Sequence, residues 1–312
     1  MLTMILKRLA LAIPTIFAVT ALLFLSVFWL LGSPAALMLG QDASPQAIAA
    51  LNAKYGFDQP LLTQYFTWLS SALTGDLGRS FATQQSVGAS IAGAFPVTLE
   101  LSLWSIGLAA VFSTVINTLV RERSWSAGLV TLAIMIGITV PNFMLGICLI
   151  FVFSVKLGFL PTTGWVPWSA GALEHLHHLI APVLTLSAYY FGVFSIVYRT
   201  EYSEVQRRMF IKVARAKGAS ETSVAFRHAM PNAIVPVLTF VGLSMGQLMG
   251  GAVVTETVFS MPGIGRLFVS AITAQDFPVM LAVGMLIVTA VIIMNMLTDI
   301  AYTIVNPQIR AE

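Results

Sequence analysis

Phe210-Ile-Lys-Val-Ala-Arg-Ala-Lys-Gly218 is the stretch on which the reading of this chain turns. It lies in a charged segment, 199–231, between two apolar runs, 179–198 and 232–258, each long enough to cross a bilayer. Its pattern predicts a short helix stopped by Gly218, then a second helix from Ser220 towards Met230 and Pro231, with Glu221 in its first turn. Two short helices about a glycine make a compact knob. Ala214 and Gly218 are four residues apart, so one side of the knob is small enough to enter a cleft on a partner. Arg215 and Lys217, with Lys212, put charge around it. A basic surface resting on anionic lipid headgroups is the alternative.

Outward from this knob the chain is apolar. Of its 312 residues 57% are hydrophobic and 9% charged, well below the charged share of a soluble domain, about a quarter. Apolar runs at 9–31, 99–120, 128–154, 179–198, 232–258 and 277–305 predict an all-α membrane protein with six transmembrane helices. The net charge of +3 gives no footprint for nucleic acid. The one cysteine, Cys148, sits inside an apolar run and reads as a small packed hydrophobe. The run after Lys7 and Arg8 exceeds the 7–15 apolar residues of a signal peptide and is read as a retained span.

Basic residues orient the spans. Of the 16, 12 fall on one side: Lys7, Arg8, Arg121, Arg123, Arg199, Arg207, Arg208, Lys212, Arg215, Lys217, Arg227 and Arg310. Both termini are therefore expected in the cytoplasm. The chain divides into a first span (1–31), an extracytoplasmic segment (32–98) and a five-helix core (99–312) that carries the 199–231 loop. In the outer segment Ser44-Pro45 and Gly56 frame a short helix with Ile48, Leu51 and Tyr55 on one face. A second short helix follows Pro60 and ends at Gly75, with Leu62, Phe66, Leu69 and Leu73 as its stripe. Both are expected to lie on the membrane surface or against the bundle.

Within the spans, Gly242, Gly246 and Gly250 recur every fourth residue and predict a close helix interface, either inside the chain or with a second subunit. Gln247 and Asn142 are candidate pathway residues, since an amide at membrane depth needs a partner or water. Pro141 and Pro182 are expected to bend their helices. Asp299 reads as a snorkelling or paired carboxylate near the end of the last span.

Chemistry is scarce. There is no G-x-x-x-x-G-K-[ST] loop, no catalytic constellation and no metal-ligand set beyond His175, His177 and His178. These three read as interfacial flanking, with weak metal binding as the alternative. A self-contained secondary transporter would need coupling carboxylates at mid-depth and usually repeats, and a membrane enzyme would need a nucleophile and base within the spans. Neither pattern is evident.

Four stretches carry a family resemblance. They are Phe57-Asp-Gln-Pro-Leu-Leu with Gly75-Asp-Leu-Gly78; Ala214-Arg-Ala-Lys-Gly218 with Arg227-His-Ala-Met-Pro-Asn232; Glu256-Thr-Val-Phe-Ser-Met-Pro-Gly-Ile-Gly-Arg266; and Asn306-Pro-Gln-Ile-Arg310. In this order they resemble the B-type permease subunit of bacterial ABC importers for dipeptides, oligopeptides and nickel. The resemblance implies a bacterial inner-membrane chain that forms half of a translocation pathway for peptide, with nickel or a metal chelate as the alternative. It implies a homologous second permease, two ATP-binding subunits that hold ATP and Mg, and an extracytoplasmic solute-binding protein. No cofactor is implied in this chain. Ala214, Arg215, Lys217, Gly218 and Glu221 would form the coupling segment seated on the ATPase, and Glu256, Pro262, Gly263 and Gly265 an outer loop or gate. The chain departs from the family at Met209, often acidic there, and at Met261, often Trp; these would alter an ATPase contact and an outer aromatic contact.

Overall fold

A computed structural model describes residues 2–39, 44–120 and 124–305. Arg121, Arg123 and the Asn306–Arg310 tail lie outside the described residues, as do the side chains of Lys7, Arg8, Gly250 and Asp299. Among the described residues every regular element is helical. In chain order these are α1 (Leu2–Leu31), α2 (Pro34–Leu39), α3 (Pro45–Tyr55), α4 (Leu61–Leu73), α5 (Val87–Leu119), α6 (Trp125–Thr139), α7 (Asn142–Leu149) and α8 (Ala172–Arg207). They continue with α9 (Met209–Ala216), α10 (Glu221–Ser223), α11 (Met230–Ala233), α12 (Val235–Gly251), α13 (Val253–Val258), α14 (Ile264–Thr273) and α15 (Phe277–Val305). Wider π-wound turns extend α7 through Ile150–Lys156 and join α10 to α11 through Val224–Ala229.

Among the described residues four helices are long and apolar enough to cross a membrane unbroken, and two bent pairs, each taken as one span, raise the number to six. The third expected span is not one rod. Pro141 lacks an amide hydrogen and forces Val140 out of the helical region (ψ 123°), and the limbs on either side meet at 114°. The fifth expected span is divided among α11, α12 and α13, with a 47° bend ahead of Val235. Pro182, by contrast, lies inside α8, which stays one helix. Three helices also outrun their apolar stretches, since α1 starts at Leu2 rather than 9, α5 at Val87 rather than 99 and α8 at Ala172 rather than 179.

The chain forms two compact units, residues 1–98 with 262–292, and residues 99–261 with 293–312. In the first unit, Phe24, Tyr65, Leu69, Phe277 and Leu281 anchor an apolar core. The Phe24 ring meets Tyr65 edge-on at 5.7 Å and Phe277 at 5.9 Å. The Tyr65 hydroxyl donates to the Phe17 carbonyl (3.0 Å) and lies 2.9 Å from Thr20 Oγ1, so this polar tip is satisfied inside the core. That anchoring decides which face of α4 is inward. Tyr65 and Leu69 are buried, whereas Leu62, Phe66 and Leu73 of the expected stripe are exposed. α3 follows its sequence signals: Ser44 Oγ accepts from the Ala47 amide (3.2 Å), and Gly56 closes the helix at φ 72°.

In the second unit α6 packs along α8 at glycines. A Cβ on Gly192 would lie 3.0 Å from the Ile134 carbonyl oxygen. Gly146 takes the Phe259 ring, and Gly242 accommodates Thr298 so closely that a Cβ there would lie 2.2 Å from its Oγ1. At Gly242, therefore, the close interface is within the chain. Cys148 is exposed on α7 rather than packed.

Candidate functional site

The knob forms where the sequence expects it. Gly218 adopts φ 83°, its amide donates to the Arg215 carbonyl (2.9 Å), and the Ala219 amide donates to that of Ala214 (3.1 Å). This paired closure satisfies two carbonyls of the last turn of α9, and the left-handed residue it needs is cheapest as glycine. Ser220 then caps α10, its Oγ accepting from the Ser223 amide (3.3 Å). Ile211, fully buried, pins α9 to the unit.

Arg215, expected in the coupling segment, makes contacts within the knob itself. Its Nε and Nη2 donate to Glu221 Oε1 and Oε2 at 3.0 and 3.2 Å, and Nη2 also donates to Gln206 Oε1 at 2.8 Å. The guanidinium thus braces α8, α9 and α10 in one arrangement, a forked geometry that lysine lacks. Lys212 and Lys217 remain exposed. On the surface of the knob Gly218 is exposed and Ala214 half-buried, and Met209, Phe210 and Val213 of α9 are 71%, 39% and 44% exposed. The knob is an apolar patch edged by lysines and stiffened from behind.

The other expected site residues separate. Gly246 is buried in α12, Gly250 continues the same helix, and Gln247 is exposed beside them. Asn142, half-buried, opens α7 after Pro141. Neither amide makes a hydrogen bond among the described residues. Glu256 is fully buried in α13 rather than exposed in a loop, and Met261, which donates its amide to the Glu256 carbonyl (2.8 Å), is also fully buried. An outer aromatic contact at Met261 is therefore not available. In the other unit Pro262 is exposed, Gly263 and Gly265 are buried, and the Ile264 amide donates to Thr98 Oγ1 at 2.8 Å.

The three histidines do not converge. His177 Nε2 meets the Phe159 carbonyl (2.5 Å) and His178 Nδ1 the Glu174 carbonyl (3.0 Å), both in exposed settings. His175 is wholly buried, which overturns its reading as interfacial flanking. Its Nε2 lies 2.9 Å from Glu100 Oε1 and its Nδ1 2.6 Å from the Val166 carbonyl. Among the described residues no three His, Cys, Asp or Glu side chains gather as metal ligands. Glu100 and Asp276 escaped the sequence reading. Asp276 Oδ1 accepts from the Phe81 amide (3.0 Å), and Oδ2 accepts from the Ala82 amide (3.4 Å) and from Ser80 Oγ.

Comparison with known proteins decides the family. The family model for the inner membrane component of binding-protein-dependent transport systems matches residues 105–311, and the companion model for its N-terminal region matches 1–102. The chain belongs to this family. A putative peptide transport system permease protein of Brucella abortus (strain 2308) is 39% identical over 100% of both chains. A glutathione transport system permease protein of Escherichia coli (strain K12) is 39% identical over 99% of each. The permease family thus covers both units and the knob between α8 and α11, and this chain is a multi-pass permease subunit.

Proposed function

We propose that this chain forms half of the transmembrane pathway of an ATP-driven importer of short peptides in the bacterial inner membrane, with both termini cytoplasmic. The knob about Gly218 seats on an ATP-binding subunit. A second, homologous permease completes the pathway, two such subunits bind and hydrolyse ATP with Mg, and an extracytoplasmic solute-binding protein delivers the peptide. The observation that carries this reading is the exposed apolar tip of α9. Met209, Phe210 and Val213 stand out from a knob whose backbone is closed by Gly218 and braced by Arg215 and Glu221. An apolar patch on a rigid support is what a protein cleft buries.

Peptide as the cargo follows from the names of the relatives at 39% identity. ATP binding in the partner subunits shifts the two permeases between inward-facing and outward-facing states, and a stiff knob transmits that shift as a rigid-body motion. The unpartnered amides of Asn142 and Gln247 suit contact with water or peptide along the path. By their spacing Gly246 and Gly250 continue the close-packed face that Gly242 presents to Thr298 within the chain, Glu256 supports the outer gate from within, and Pro262, Gly263 and Gly265 shape the outer turn. The division at residues 31 and 98 into first span, outer segment and core belongs to the same reading.

The test is cross-linking from the knob tip. Val213→Cys, in a Cys148→Ser background, is coupled with a short bifunctional reagent in native membranes. The expected product joins this chain to a nucleotide-binding subunit and changes in yield when ATP is added. A product containing only lipid or a second copy of this chain would refute the docking role.

A further inference from the structure

The first unit carries a cavity lined by none of the site residues expected from the sequence. It encloses about 440 Å³, within the roughly 300–1,000 Å³ of small-molecule sites. Its lining changes character with depth. Asp76 and Arg79 at its mouth are exposed, Phe57, Trp68 and Phe81 along its walls are half-buried, and Phe24 and Phe277 at its floor are buried. That floor belongs to two membrane spans, α1 and α15. Trp29 ends the apolar part of α1 and is 89% exposed, the placing of an interfacial tryptophan. Phe24 lies five residues, about 7.5 Å of helix, further into the membrane. The cavity is therefore polar where it meets water and aromatic where it enters the bilayer.

Asp76 and Arg79 make no ion pair, with each other or elsewhere, among the described residues. Asp76 Oδ1 accepts from the Gly78 amide (3.0 Å), which leaves Oδ2 open, and Arg79 Nη1 reaches only the Gln84 carbonyl, at 3.5 Å. The backbone around them is fixed. Asp276 accepts from the Phe81 and Ala82 amides, and the Gly78 carbonyl accepts from the Val87 amide (3.1 Å). The stretch with Phe57 is fixed too, since Gln64 Nε2 of α4 donates to the Phe57 and Gln59 carbonyls (3.0 and 2.8 Å). Trp68 Nε1 is buried without an acceptor among the described residues.

We propose that this cavity binds one phospholipid whose headgroup carries a primary ammonium beside its phosphate, the chemistry of phosphatidylethanolamine. Arg79 takes the phosphate and Asp76 the ammonium, each through charge-assisted hydrogen bonds. The ester region lies against Trp68, whose N–H gains an acceptor, and one acyl chain runs past Phe57 and Phe81 to Phe24 and Phe277. A short peptide is also zwitterionic, but its backbone is polar throughout, whereas the floor here is aromatic and at membrane depth. A lipid with phosphate alone, such as phosphatidylglycerol, sets its charge near Asp76 with no cation between them.

Photolabelling in vesicles tests the site. The purified permease complex is reconstituted in phosphatidylglycerol with a trace of phosphatidylethanolamine that carries a diazirine on its acyl chain, and adducts are mapped by mass spectrometry after illumination. Adducts are expected within 57–81 at about ten times the level on the exposed face of α6 at Leu129 and Leu132, which reports bulk lipid. Excess unlabelled phosphatidylethanolamine should remove them. Arg79→Ala and Asp76→Asn should each lower them to the α6 level, and Arg79→Lys, which keeps the charge, should retain most. Asp58→Asn, on an exposed residue outside the lining, should leave them unchanged. Adducts within 57–81 no more frequent than on α6, or indifferent to both Arg79→Ala and Asp76→Asn, mean bulk lipid only and overturn the site. Displacement by short peptides but not by unlabelled phosphatidylethanolamine makes the cavity a peptide pocket and overturns the lipid assignment.

Discussion

Gly137 of α6 touches the backbone of α8 at Ala188, so closely that a Cβ on the glycine would lie 2.1 Å from the Ala188 carbonyl oxygen and 2.9 Å from its carbonyl carbon. Backbone cannot rotate aside as a side chain can, so one methyl group here must push the helices apart. Gly137→Ala should destabilise the chain by about 1–3 kcal/mol, the usual cost of overpacking. Thermal unfolding of the detergent-solubilised protein checks this, with Gly128→Ala on the same helix as control, because a Cβ at Gly128 meets nothing within 4 Å. Equal midpoints for the two variants would refute the close contact.

Gly218 is demanding for another reason. Nothing lies within 4 Å of a Cβ placed there, but the residue sits at φ 83°, where a side chain costs roughly 1–2 kcal/mol and a β-branched one more. Gly218→Val is expected to leave membrane insertion intact and to abolish ATP-dependent uptake, because the angle between α9 and α10 changes. Gly218→Asn should retain part of the activity, since asparagine tolerates this conformation. Normal uptake by the valine variant would contradict a coupling role for the knob.

The Arg215–Glu221 pair is exposed, 40% and 66% by side chain, so removing it should cost no more than about 1 kcal/mol of stability. Its effect should appear in coupling. Glu221→Ala is expected to leave the melting temperature nearly unchanged while reducing substrate-stimulated ATP hydrolysis in the assembled transporter. The exchange Arg215→Glu with Glu221→Arg should restore part of that loss. Full stimulation in the alanine variant would show that the brace is dispensable.

Asp276 joins two stretches about 195 residues apart in sequence by accepting from Ser80, Phe81 and Ala82. Asp276→Ala leaves these donors unsatisfied, at a cost of about 1–3 kcal/mol for a buried group. Limited proteolysis should then cut within 78–86 at a rate well above wild type, and Asp276→Asn, which still accepts, should fall between the two. Identical cleavage in all three would refute the clamp.

How much of this was legible depends on how local each cause is. The knob and α3 were readable because Ser220, Gly218, Ser44, Pro45 and Gly56 act on backbone within four residues of themselves. The six apolar runs were readable because bilayer length is a property of one segment; among the described residues four form unbroken helices and two form bent pairs. Pro141 announces a break, and its angle, 114°, is seen only in the structure. The stripe Leu62, Phe66, Leu69 and Leu73 does not by itself say which of its residues meet the core, because all are apolar, and the Tyr65 hydroxyl bonds to α1 decide the inward face. Glu100 and His175 were invisible as a pair because 75 residues separate them, and the histidine cluster drew attention as a set when only one member is buried.

The measurement that tests the central claim most directly is reconstitution after gentle purification of this chain from its native membrane. Whatever remains bound is identified by mass spectrometry, then placed in lipid vesicles with ATP and a labelled short peptide. The account predicts recovery of a second six-span permease with nucleotide-binding subunits, and peptide uptake that requires ATP and is lost in Gly218→Val. Recovery of this chain alone, with uptake that proceeds without ATP, would contradict it.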